Sequence, residues 1–187
     1  MSWDLPSPFI HERVAQHTEI DGYGHVNNVV YIAWMDDCAW AHSTERGIPP
    51  ELCRRLNRGM AVWRTQANYL GSAYEGDHIE VATWPVLNDE RLRIVRRFQI
   101  RRKSDGQTLV RALIHYVCID LQTGKAKRMP PEFAKYTVAP EVAAAGAVAL
   151  AQVEGRADEG VDPWSRRDGW RLHGGARRRF ELELAET

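Results

Sequence analysis

The stretch Asp21-Gly22-Tyr23-Gly24-His25-Val26-Asn27-Asn28-Val29-Val30-Tyr31 gathers groups that could act on a carbonyl. A lone carboxylate, Asp21, stands before two glycines suited to a tight turn, and an apolar run begins just after it. Asn27 and Asn28 occupy positions that helix N-caps favour. A helix starting there would present unbonded N–H groups and the positive end of its dipole to the same junction. Such an N–H could hold the oxyanion that develops on a carbonyl, while Asp21 activates water or attacks directly. His25 could be a second acid–base group or could position the turn, and Asp21 itself could simply cap the turn. Those alternatives stand until features outside the stretch are weighed.

Rival chemistries find little support. No Gly-x-Ser-x-Gly elbow is present to seat a serine nucleophile. His17, His42, His78 and His115 show no ligand spacing with one another or with Cys38, Cys53 and Cys118, so neither a metal nor another cofactor is expected. Three widely spaced cysteines fit no disulfide framework and point to a reducing cytoplasm, with Cys38 and Cys118 as small core residues. Asp36 and Asp37, inside the apolar run, are the rivals to Asp21. A carboxylate on a buried helix needs a partner, and an ion pair of Asp36 with Arg64 or Arg96 is the reading there.

The net charge of +0 and the pI near 7.1 give no case for nucleic acid or an anionic membrane. No apolar run approaches the ~20 residues of a membrane span, and the first residues lack a secretory pattern. With 44% hydrophobic residues in 187, the chain can bury a substantial core.

The elements that must hold the junction follow from periodicity. Residues 8–19 read as a strand. From Asn28 to about Arg46 apolar residues recur at helical spacing, in neighbouring stripes broad enough to predict burial on most sides. Gly47-Ile48-Pro49-Pro50 ends that helix, and residues 51–57 read as a link. Residues 60–70, 78–86, 92–101 and 108–121 read as strands, separated by Gly71-Ser72, Asn88-Asp89 and Ser104-Asp105-Gly106. In 92–101 Leu92, Ile94, Phe98 and Ile100 share one face, broken only by Arg96. Arg91, Arg93, Arg97 and Arg101 lie opposite, where a solvated sheet face or phosphate contact is expected. Val110–Ile119 is apolar on both faces and is expected at the centre of the sheet. The order strand, helix, four strands predicts an α+β fold, an antiparallel sheet with one long helix on its apolar face. Residues 132–136 add a closing turn. Residues 140–187 change in composition and read as an appendage to a 1–139 domain, with Phe180–Leu184 as a stray strand.

Asp21-x-x-Gly24-His25-Val26-Asn27-Asn28-x-x-Tyr31 resembles the signature of hotdog-fold acyl-CoA thioesterases of the 4-hydroxybenzoyl-CoA type, and plant acyl-carrier-protein thioesterases carry a similar element. Ala67-Asn68-Tyr69-Leu70, Gly76-Asp77, Asp120-x-x-Thr123-Gly124-Lys125 and Arg128-x-Pro130 continue the likeness over about residues 8–137. The resemblance implies a five-stranded antiparallel sheet wrapped around one long central helix, acting as a metal-free thioester hydrolase on acyl-CoA or acyl carrier protein. It implies Asp21 as general base or nucleophile, the Asn28 backbone N–H as oxyanion donor, and His25 in a positioning role, because that mechanism runs on the carboxylate alone. It further implies Gly59 near the acyl end. Tyr31, Met60 and Arg101 join Gly59 as substrate-binding candidates. A homodimer or dimer of dimers, each pair building two sites, is also implied. A non-catalytic acyl-binding module and a hotdog dehydratase are the other classes; the second would need a differently placed His–carboxylate pair.

Overall fold

Helix α1 (Asn28–Glu45) is set by its two ends. At the start the Asn27 side chain accepts the Val29 N–H at 3.0 Å. At the finish Gly47 adopts φ +74°, a left-handed conformation a glycine takes without penalty. The Gly47 N–H then reaches the Thr44 carbonyl at 2.9 Å and the Ile48 N–H the Ser43 carbonyl at 2.8 Å, closing a Schellman motif with Ile48 buried. Between these ends Tyr31, Trp34, Met35, Cys38, Ala39, His42 and Ser43 are buried, one stripe at three- and four-residue spacing. The expectation of burial on most sides is therefore corrected: Val29 is 72% and Trp40 41% exposed, because only one face of the helix meets the sheet.

The computed structural model describes residues 3–145. Strands β1 (Phe9–Val14), β2 (Arg58–Tyr69), β3 (His78–Asn88), β4 (Arg93–Arg102) and β5 (Thr108–Asp120) form one antiparallel sheet in the order β1-β3-β4-β5-β2. With α1 against its inner face this is the hotdog architecture, α+β as expected. Strand β4 holds the middle place, and β5 lies one strand in from the β2 edge. The segment expected as strand through residue 19 leaves the sheet at Val14 and forms a 3-10 turn at His17–Glu19. The expected link at 51–57 contains helix α2 (Pro50–Leu56), with proline at its first position and Asn57 in the left-handed conformation after it. A second 3-10 turn, Pro131–Lys135, lies where a closing turn was expected. Residues 140–145 are helical; the rest of the 140–187 appendage, including the strand expected at 180–184, lies outside the described residues.

The arginine-bearing outer face is covered at Arg97 and Arg101, whereas Arg91 and Arg93 are exposed. Asp4, from the N-terminal segment, accepts from Arg97 Nη2 at 2.9 Å and from Arg111 Nε and Nη2 at 2.6 and 2.9 Å. Burial raises the Asp4 carboxyl, but its bonds to the Arg111 and Arg97 guanidiniums outweigh that and leave it below its ordinary value. Trp3 lies 3.5 Å from the Arg101 guanidinium, and the Trp84 indole donates to the Pro6 carbonyl at 2.8 Å. Leu5 and Val142 pack with Trp84, Val86, Val95 and Leu113 in a second apolar cluster on this face. That cover explains why β5 reads as apolar on both sides.

On the inner face Arg96 is buried and meets His42 Nδ1 at 2.9 Å and Ser43 Oγ at 3.2 Å. Burial first, then Arg96 and Arg46, pushes His42 down to about 3, so the imidazole is neutral at physiological pH. The expected pairing of Asp36 with Arg64 or Arg96 does not form. Asp37 instead meets Arg13 at 3.0 Å, and Asp36 stands exposed without an ion pair among the described residues. The reason is position, since Asp36 falls outside the buried stripe of α1 from which His42 and Ser43 meet Arg96.

Candidate active site

The segment from Ile20 to Val26 folds back on itself through an antiparallel bridge between those two residues. The Asp21 N–H donates to the His25 carbonyl at 2.9 Å and the Gly24 N–H to the Asp21 carbonyl at 3.0 Å, with Gly24 at φ +83°. A side chain other than glycine would strain that turn. Asp21 Oδ1 accepts the Tyr23 N–H at 2.8 Å, so one carboxylate oxygen holds the turn. The other, Oδ2, lies 3.7 Å from His25 Nδ1, and the Asp21 side chain remains 20% exposed. Tyr23 stacks beside the His25 ring at 6.1 Å between centroids.

The start of α1 follows directly. Asn27 satisfies the Val29 N–H with its side chain and the Val30 N–H with its carbonyl, at 3.0 and 2.9 Å. The Asn28 N–H has no acceptor among the described residues. The junction thus combines a partly exposed carboxylate with one open helix N–H, the combination an acyl transfer to water requires. Of the two asparagines read as cap candidates, Asn27 is the cap and Asn28 is the first residue of the helix. Replacing Asn27 by alanine is expected to cost about 1 kcal/mol in urea denaturation, and Asn27→Asp to cost much less.

Residues not singled out in the sequence brace this junction. Glu19 Oε1 accepts the Trp34 indole N–H at 2.8 Å, Oε2 the Gln16 N–H at 2.8 Å, and the Glu19 carbonyl the Asn27 N–H at 3.0 Å. One residue therefore ties the turn to the second turn of α1. The Ala73 carbonyl takes the Val26 N–H at 2.8 Å, and the Ala73 N–H donates to the Tyr31 hydroxyl at 2.8 Å. Tyr69, at the end of β2, donates its hydroxyl to the Asn28 carbonyl at 3.1 Å and sets its ring 5.9 Å from that of Tyr31. The Gln16-x-x-Glu19 spacing of a capping box was the one local signal for Glu19; Tyr69 lay in the Ala67-Asn68-Tyr69-Leu70 part of the family likeness and Trp34 on the apolar stripe of the helix, without either pointing to this brace.

Asp21 and His25 are brought together by the turn, Asn28 follows at the start of α1, and Tyr31, one turn further on, is buried between Trp34, Tyr69 and the Ala73 N–H. Gly59 and Met60 are not at this junction. They face Ile119 and Cys118 at the opposite end of β2 from Tyr69, about 30 Å away at ~3.3 Å per residue. Arg101 is on the outer face, paired with Glu80 Oε2 at 2.9 Å and covered by Trp3. Among the described residues no group of three or more His, Cys, Asp or Glu side chains could hold a metal ion.

The profile of the thioesterase-like superfamily matches residues 15–136. A second profile, for the BT domain of the methylcrotonyl-CoA carboxylase α-subunit, matches residues 139–187, most of which lie outside the described residues. The long-chain acyl-CoA thioesterase FadM of Escherichia coli is 27% identical over 113 residues, covering 60% of this chain and 84% of that protein. Among solved structures, a 1,4-dihydroxy-2-naphthoyl-CoA thioesterase from Synechocystis matches with TM-score 0.63 and 18% identity, covering 70% of this chain and 95% of its own. A Staphylococcus aureus protein solved in complex with CoA matches with TM-score 0.64 and 17% identity, covering 71% and 82%.

Proposed function

We propose a mechanism for a chain that belongs to the thioesterase-like superfamily and hydrolyses acyl-CoA thioesters: Asp21 is the general base and the Asn28 N–H the oxyanion donor. The observation that carries it is the open Asn28 N–H beside a carboxylate with one oxygen already anchored. Asp21 Oδ2 takes a proton from a water as that water's oxygen bonds to the thioester carbon. The carbonyl oxygen becomes an oxyanion and accepts from Asn28 N–H, inside the positive end of the α1 dipole. Collapse of the tetrahedral species breaks the C–S bond, and the proton on Asp21 passes to the leaving CoA thiolate. Free acid and CoA result. His25 orients Asp21 Oδ2 from 3.7 Å rather than exchanging the proton.

The reading includes a homodimer. Gly59 and Met60 cannot meet an acyl group at Asp21 of their own copy, whereas pairing two β2 edges antiparallel would bring them to the Tyr69 end of the partner. Strand β2 is an edge of the sheet with no further strand beside it among the described residues, which supports such pairing. Three buried, free cysteines support a cytoplasmic setting. Long-chain acyl-CoA in the name of one relative, and a CoA-ester enzyme in the second profile, support CoA over a carrier protein as the thiol.

The test is a thiol-release assay across aliphatic and aromatic acyl-CoAs, with the matching acyl carrier protein thioesters alongside. Turnover is expected on acyl-CoA with the carrier-protein esters slower. Turnover on carrier-protein esters alone would reassign the substrate, and none on either would leave an acyl-binding module.

A further inference from the structure

A cleft of about 450 Å³ opens between the β3–β4 turn and the segment that follows β5. Its lining includes Met129, Pro130, Pro131 and Phe133, with Glu90 and Arg128 also on its walls. The volume is in the range of small-molecule sites, and the mix of apolar surface with a few polar groups is what such sites use.

Two features set this cleft apart from an ordinary surface dent. Glu90 and Arg128 line the same opening with opposite charge, yet neither forms an ion pair among the described residues. Arg91, exposed and likewise without an ion pair, is joined to this wall because its carbonyl accepts the Met129 N–H at 2.8 Å. The walls are also held in place before anything binds. Asp89 Oδ1 accepts the N–H groups of Arg91, Leu92 and Arg93 at 2.9, 2.7 and 2.8 Å, and Asn88 Oδ1 accepts that of Glu90 at 2.8 Å. Across the opening, Arg58 Nε donates to the Arg128 carbonyl at 3.3 Å. A preorganised cleft with one unpaired guanidinium and one unpaired carboxylate on its walls, and a second guanidinium on the residue next to Glu90, loses little freedom on binding a ligand that carries both anionic and donor groups.

We propose that this cleft binds the phosphorylated adenosine end of CoA. The proline and methionine surface suits a purine face. Arg128 and Arg91 take phosphate oxygens through charge-assisted hydrogen bonds. Glu90 accepts from the exocyclic amine or a ribose hydroxyl. The proposal rests on the reading of acyl-CoA as substrate and adds where its nucleotide sits. The cleft is at the Asn88 end of β3, whereas the Asp21 turn packs at the other end, where Ala15 and Asp77 bond. Strand β3 separates the two by about 33 Å at ~3.3 Å per residue, so a nucleotide in the cleft serves the Asp21 of a second copy. Antiparallel pairing of two β2 edges would bring Arg58, which touches Arg128, toward the Tyr69 end of that copy.

The probe is adenosine 3′,5′-bisphosphate, titrated calorimetrically into the full chain. Binding is expected, with Arg128→Ala and Arg91→Ala each weakening it roughly 5- to 10-fold, the scale of one solvent-exposed hydrogen bond. Asp21→Asn should bind the probe as the parent does, so this result stands apart from any failure of the catalytic reading. In kinetics, Arg128→Ala should raise KM for an acyl-CoA by a similar factor and leave the same acyl group on N-acetylcysteamine unchanged. Absence of bisphosphate binding by the parent chain, or equal affinity for inorganic phosphate, overturns the proposal. So does a KM that rises alike for both thioesters.

Discussion

Asp21→Asn is expected to lower acyl-CoA turnover by about 10²- to 10⁴-fold, the range lost with a general base, while the protein stays folded. The substitution is close to isosteric and separates the two jobs of the side chain. An asparagine Oδ1 still accepts the Tyr23 N–H, so the turn and the Asn28 N–H keep their places. What disappears is the charge and the proton acceptor facing His25. Asp21→Ala removes the turn bond as well and should cost a further ~0.5–1.5 kcal/mol of stability. Rates from thiol release, with melting curves on the same samples, separate the two effects. An Asp21→Asn protein that turned over normally would remove Asp21 as the base and return attention to Asp36 and Asp37.

Trp34→Ala should be the most destabilising change near the site, by about 3–5 kcal/mol, against a total of roughly 5–15 kcal/mol for an ordinary domain. Trp34 is 1% exposed, packs edge-on to Tyr31 at 5.1 Å and lies under the Arg13 guanidinium at 4.9 Å. Its loss opens a cavity and also strips Glu19 Oε1 of the indole donor. Because Glu19 ties the Asp21 turn to α1, activity should fall by more than the folded fraction does. Trp34→Phe keeps much of the volume and loses the indole N–H, so it should cost less in stability while still loosening the turn. The urea midpoint and the rate per folded molecule measure the two contributions. A loss below about 1 kcal/mol for Trp34→Ala would contradict the packing role.

The parts legible in the sequence were those governed by neighbours in the chain. Asn27 and Gly47 bound α1 because caps act within four residues, and Asp105-Gly106 marked a hairpin because turn chemistry is local. Asp21, His25 and Asn28 span eight residues, so a motif could bring them together. The rest depends on contacts made by folding. Arg97 and Arg101 looked solvated because nothing near them in the chain hints at Asp4 or Trp3, more than ninety residues away. The exposure of Asp36 depends on which side of α1 meets the sheet, which a stripe apolar on several sides does not encode. Helix α2 was missed because only Cys53 of its residues is buried, leaving no periodic signal. Glu19, Trp34 and Tyr69 become a brace only once β2 and the first turn of α1 are adjacent.

The N-terminal segment has a consequence for how the protein can be handled. Residues 3–6 behave as a sixth, non-strand layer of the sheet, with Leu5 buried and Asp4 holding two guanidiniums. An affinity tag or fusion partner joined without a spacer at this end would pull on that layer. Trimming the chain to residue 7 would uncover Trp84 and Leu113 together with the positive charges of Arg97 and Arg111. A sheet face that is both greasy and cationic invites association with whatever is near.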